Sequence, residues 1–183
     1  DSVIKRLVVN NNPEFGRDGC LALIEALTGG CAEHIEMVGC GAGPSTGRVI
    51  GKALRTANLT WRFLDISHND IQRAGLNHMM WSLRHNRSLR ILRLAYNNAG
   101  GLFGTDEDAY GLHGIAVYRA IVENLALREF DLSGNNISSE GGSNILEALL
   151  QNQTLRIFRM AHNFLDDECS VNLGDLITYN DVI

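Results

Sequence analysis

The stretch Leu127–Leu149, LREFDLSGNNISSEGGSNILEAL, decides the fold. Leu127, Phe130 and Leu132 have the spacing of a short strand whose alternate side chains point inward. Asn135 follows where the chain must turn, and Ile137, Gly141, Ile145 and Leu149 continue at helical intervals. One such strand–turn–helix unit cannot bury its own apolar face and needs copies stacked on both sides.

The copies are present. Apolar-x-x-apolar-x-apolar-x-x-Asn/Cys fits Ile4, Leu7, Val9, Asn12 and Ala32, Ile35, Met37, Cys40. It fits Trp61, Leu64, Ile66, Asn69 and Leu89, Leu92, Leu94, Asn97. Beyond Leu127 it returns as Leu155, Phe158, Met160, Asn163. The Asn/Cys slots lie 28, 29, 28, 38 and 28 residues apart. A buried Asn side chain satisfies backbone groups at a turn, so stacked copies predict an asparagine ladder, with Cys40 as a weaker substitute. Gly19, Gly47, Gly75, Gly114 and Gly141 come next, with Cys169 in their place in the last copy. Helical core positions then follow, such as Met79 and Leu83, Ile145 and Leu149, Leu173 and Ile177.

The pattern resembles the leucine-rich repeat, and within it the ribonuclease-inhibitor-like subtype with units of 28 or 29 residues. The resemblance covers essentially the whole chain and implies an α/β solenoid of about six repeats. Parallel strands would line a concave face and helices a convex one. Strands stack about 4.8 Å apart while helices need about 8–10 Å, so the stack must bend into a horseshoe. Residues 1–183 read as a single domain that starts inside a strand and ends just after a helix, without polar capping segments. The expectation is part of a longer protein or assembly, with further repeats or another chain covering the ends.

Composition narrows the function. The net charge is −5, hydrophobic content 45% and charged content 20%, which opposes a sequence-independent nucleic-acid binder and fits a globular chain. No apolar run is long enough to span a membrane. The four cysteines, Cys20, Cys31, Cys40 and Cys169, form no CxxC, and a cytoplasmic, reduced setting is expected. Gly39–Val49, GCGAGPSTGRV, approaches a phosphate loop, but Arg48 stands in place of the Lys and Val49 in place of the Ser/Thr. His34, His68 and His162 fall on the concave side, with Tyr96 and Gly134 on the strands between the last two. No ligand spacing, triad or cofactor motif emerges, so a non-catalytic chain without cofactor or metal is expected. The sequons at Asn58, Asn86, Asn136 and Asn152 read as turn residues rather than sugar sites.

Two features suggest a binding surface. Between the inward strand positions stand Val8, Glu36, Asp65, Arg93, Asp131 and Arg159, four of them alternating in sign. They predict a charge ladder with Arg93 beside Asp131, or a mixed-charge surface for a partner. The second feature is the break in spacing: 17 residues separate Asn97 from Gly114, against six or seven elsewhere. The extra residues lie in a strand-to-helix loop, 98–113, with Phe103 and Tyr110 as anchors and Asp106, Glu107 and Asp108 as an acidic patch. A protein-interaction module or scaffold is therefore expected, using this loop and Phe63, Arg93, Tyr96, Arg159 and His162 on the concave face. Its partner would be a protein, not nucleic acid or membrane. The alternatives are a GTPase-activating protein resembling the Ran activator, with Arg17, Arg48 and Arg73 read as loop arginines, or a structural subunit of a larger, for example ciliary, assembly.

Overall fold

The computed structural model describes residues 4–100 and 115–183. Among them six strands alternate with six helices: β1 (Arg6–Val8), α1 (Gly16–Thr28), β2 (His34–Glu36), α2 (Gly43–Leu54), β3 (Phe63–Asp65), α3 (Gln72–Leu83), β4 (Ile91–Arg93), α4 (Ile115–Glu123), β5 (Glu129–Asp131), α5 (Ser139–Gln151), β6 (Ile157–Arg159) and α6 (Cys169–Tyr179). The strands form one parallel sheet in chain order. Leu7, Ile35, Leu64, Leu92, Phe130 and Phe158 pair across it in register, each the middle apolar residue of its repeat. The strands line the concave side of an α/β solenoid and the helices its outside.

The strands are three residues long because the chain turns immediately afterwards, and the asparagine ladder holds that turn. The Oδ1 atoms of Asn69, Asn97, Asn135 and Asn163 accept from the backbone N–H of Cys40, Asn69, Asn97 and Asn135, one repeat back. Their Nδ2 atoms donate to the carbonyls of Met37, Ile66, Leu94 and Leu132. Cys40 continues the row with its thiol on the Val9 carbonyl, at 3.0 Å.

A second ladder closes the other end of each repeat. Asn86, Asn124, Asn152 and Asn180 are buried where a helix returns to a strand. Their Nδ2 atoms donate to Leu54, Leu83, Ile121 and Leu149. Each Oδ1 accepts from the N–H groups two and three residues on. Asn58 departs from it, exposed and at φ 65°. The residues after Tyr179 stay in pattern, since Asn180, Val182 and Ile183 rebuild the turn seen in earlier repeats.

Helix packing explains the glycines. A Cβ on Gly47 would meet Ile71 at 2.6 Å and the Gly75 backbone at 2.8 Å, and one on Gly51 would meet the His78 carbonyl at 2.8 Å. The α2 and α3 backbones therefore touch almost directly. Cys169 fits its glycine slot with its thiol on the Ser139 carbonyl at 3.2 Å. The core is as expected through α5, with Met79, Leu83, Ile145 and Leu149 buried. In α6 it is not: Leu173 and Ile177 are exposed, and Cys169 and Leu176 are buried instead. The face of α5 equivalent to Leu173 and Ile177 packs against the following repeat, whereas α6 has only α5 beside it among the described residues.

Candidate protein-binding face

Three residues past each strand the backbone turns away from the sheet through the left-handed region. Asn11, Gly39, His68, Tyr96, Gly134 and His162 all sit at φ between 55° and 64°, a conformation uncommon outside glycine and asparagine. The side chains at this position project along the rim of the concave face. His68 stacks on Tyr96 at 4.5 Å between ring centroids, and Tyr96 reaches His162 at 6.2 Å. The Tyr96 ring thus spans the repeat that carries Gly134. A Cβ there would collide with the Tyr96 ring, which lies over the glycine. Tyr96 is 42% exposed although its position is held on both sides.

A second cluster sits on the strands themselves. His34 stacks flat on Phe63 at 3.9 Å, and the Arg93 guanidinium lies over the Phe63 ring at 5.2 Å. Arg93 also bonds Glu129 at 2.9 Å, and Arg159 bonds the same carboxylate at 2.7 Å. The expected pairing of Arg93 with Asp131 does not form; Asp131 accepts instead from the Ser133 N–H at 2.9 Å. The arginines reach diagonally because Glu129 is nearly buried and needs compensation, while Asp131 is satisfied by its own turn. Burial would raise the Glu129 carboxyl, but Arg93 and Arg159 outweigh it and hold it below its ordinary value. At the other end of the sheet Glu36 is lowered by His34, with Asn10 and Arg6 adding to the effect against burial.

The structure therefore brings Phe63 and Arg93 into one cluster, Tyr96 and His162 into another, and joins Arg159 to the first through Glu129. Phe103, Asp106, Glu107, Asp108 and Tyr110 lie outside the described residues. Arg17, Arg48 and Arg73 are placed within α1, α2 and α3 rather than in loops. The phosphate-loop-like segment is built for packing: a Cβ on Gly41 would meet the Pro13 carbonyl at 2.7 Å. Among the described residues no group of three or more His, Cys, Asp or Glu is placed to hold a metal. No described helix is long and apolar enough to cross a membrane.

This in-register stack of strands, helices and asparagine ladders is a leucine-rich-repeat solenoid fold. The profile described as "Leucine Rich repeat" matches residues 57–77 and 123–146. The actin-binding site 2 domain of leiomodin-1 is similar in fold, at 16% identity and a TM-score of 0.56, over 96% of this chain and 80% of that one. The tropomodulin C-terminal domain of Caenorhabditis elegans is similar at 14% identity and a TM-score of 0.53, over 98% of this chain and 86% of that one.

Proposed function

We propose that this chain is a non-catalytic protein-interaction module whose concave face holds a protein partner. One observation carries the reading: Tyr96 is an exposed aromatic fixed in place by His68, Gly134 and His162. A rigid aromatic on the same face as an arginine anchored on Phe63 is the composition of an interaction hot spot, and it loses little freedom on binding. The inserted segment 98–113, with Phe103 and Tyr110, leaves β4 beside Tyr96 in sequence and belongs to the same proposal. The 28- and 29-residue spacings favour the ribonuclease-inhibitor-like subtype.

The test compares partner capture by the intact chain, a Tyr96→Ala/Arg93→Ala variant, and a chain lacking residues 100–109. Circular dichroism melting checks that each is folded. The concave-face variant is expected to lose a discrete set of proteins that the intact chain retains. An unchanged set would refute the concave face as the binding surface. Because the leiomodin-1 domain is described as an actin-binding site, filament co-sedimentation with purified actin is a defined arm of the same experiment.

A further inference from the structure

Four arginines are stacked at the opposite edge of the sheet from Tyr96. Arg62, Arg90, Arg128 and Arg156 each immediately precede the first residue of β3, β4, β5 and β6. Their backbones are bonded in series: Arg90 N to Arg62 O at 2.8 Å, Arg128 N to Arg90 O at 2.7 Å, and Arg156 N to Arg128 O at 2.8 Å. At parallel-strand spacing the row is about 14 Å long. Arg62, Arg128 and Arg156 are exposed and Arg90 is half-buried. The whole chain carries −5, so once these four positive charges are set aside the remainder carries −9.

At its Arg62 end the row meets Glu33, whose carboxyl is lowered by its hydrogen bond and charge contact with Lys5 and to a smaller degree by Arg62. Among the described residues no carboxylate forms an ion pair with any of the four. Glu33, next in line, is bonded to Lys5 at 2.8 Å, and Glu129 is taken by Arg93 and Arg159. Burial, and to a smaller degree the neighbouring Arg62 and Arg128, push Arg90 below its ordinary value. A structural role accounts for only part of each side chain. Nη1 of Arg62, Arg128 and Arg156 donates to the carbonyls of Ser88, Thr154 and Val182, each 26 residues on. Nη1 of Arg90 donates to Arg87, Ser88 and Leu89. A guanidinium has five N–H donors, so one nitrogen anchors the group while Nε and Nη2 remain to be used. Glutamine could hold a carbonyl without the charge. Beside Arg62 the row opens into a cleft of about 450 Å³, rimmed by Arg55, His85 and Arg87 and floored by Leu54 and Leu59.

We propose that this edge docks an acidic helix of a partner protein, whose carboxylates meet the Nε and Nη2 donors of Arg62, Arg90, Arg128 and Arg156. Side chains four residues apart on a helix lie about 5–6 Å apart, close to the strand pitch. Same-face side chains of an extended strand lie about 6.8 Å apart and lose register within two steps. A long nucleic acid would overrun the short row onto the acidic remainder of the surface. The proposal does not rest on the concave-face reading, since it uses neither Tyr96 nor Arg93.

The experiment is fluorescence anisotropy with a labelled helical peptide carrying Glu at every fourth position. Comparison probes are a peptide of the same composition with Glu at every second position and a single-stranded oligonucleotide of equal charge. Intact chain should bind the first peptide most tightly. Arg90→Gln/Arg128→Gln should weaken binding by at least about tenfold, the loss of roughly one charge-assisted bond's worth of affinity. Arg62→Gln/Arg156→Gln alters the exposed ends of the row and guards against a folding defect at its centre. Arg17→Gln/Arg48→Gln on the helices should leave binding unchanged. Absence of binding at low salt, insensitivity to the row variants, or equal binding of either comparison probe would overturn the proposal.

Discussion

Replacing Asn97 by alanine tests what holds the repeats together. Asn97 is wholly buried, and its side chain makes five hydrogen bonds: Oδ1 accepts from Asn69 N and Ile71 N, and Nδ2 donates to the carbonyls of Ile66, Leu94 and Ala95. The three carbonyls have other donors, namely Asn69 Nδ2, Asn135 Nδ2 and His68 N. The two N–H groups have none, and they are left unsatisfied. Each costs about 1–3 kcal/mol, so the variant should lose about 2–6 kcal/mol, a large part of the roughly 5–15 kcal/mol that holds a domain folded. Asn12 occupies the same slot but is exposed, and its amide only reaches Val9 and Asn10 carbonyls. Asn12→Ala should cost less than about 0.5 kcal/mol. Asn163, half-buried, should fall between, at about 1–2 kcal/mol, because water can replace part of what it supplies. Urea denaturation followed by far-ultraviolet circular dichroism measures all three. If Asn97→Ala and Asn12→Ala differed by less than about 1 kcal/mol, the unsatisfied-donor reasoning would be wrong.

Other perturbations read different parts of the structure. Gly75→Ala should destabilise by about 1–2 kcal/mol despite its better helix propensity, because its Cβ would meet Ile71 at 2.7 Å and the Pro44 carbonyl at 2.8 Å. Gly174→Ala in α6 meets nothing within 4 Å and should stabilise by up to about 1 kcal/mol in the same urea titrations. The Glu129 carboxyl is lowered in the folded chain, so its contribution to stability is present above the unfolded value and is lost as pH falls through the folded one. Glu129→Gln should therefore flatten the acid side of the stability–pH curve below about pH 4.5, and an unchanged curve would refute the assignment. Burial, with a smaller effect of Cys40, pushes the Cys20 thiol up to about 11. At neutral pH a thiol reagent should modify half-buried Cys31 well before Cys20, Cys40 and Cys169, as peptide mapping of the labelled chain would show.

The repeat was legible because each of its slots demands a distinct residue type. Leu64 and Ile66 must be apolar to point inward, and Asn69 must carry both an acceptor and donors to serve two repeats at once. The second ladder was partly visible in Asn86 and Asn152, yet Asn124 and Asn180 hold the same place without a sequon, which is how they escape notice. Less of the surface could be read. Strand alternation fixes where a Cβ points, not where a long side chain ends, so Arg93 was assigned to Asp131 although its guanidinium reaches Glu129 and Phe63. Gly134 looked like an interruption because its role is to make room for a ring from the neighbouring repeat. The arginine row has a signal in the sequence, an Arg one residue before the strand in four consecutive copies, but it shows only when the repeats are aligned on that column.

The left-handed turn three residues past every strand has a consequence for how this protein could be improved or spoiled. Glycine adopts that geometry without strain at 39 and 134, whereas His68, Tyr96 and His162 hold it at a cost of about 1 kcal/mol or more each. A screen that rewards heat resistance alone would drift toward glycine at those three positions. The survivors would melt later and have a bare rim, so thermal selection on this scaffold must be paired with selection for binding.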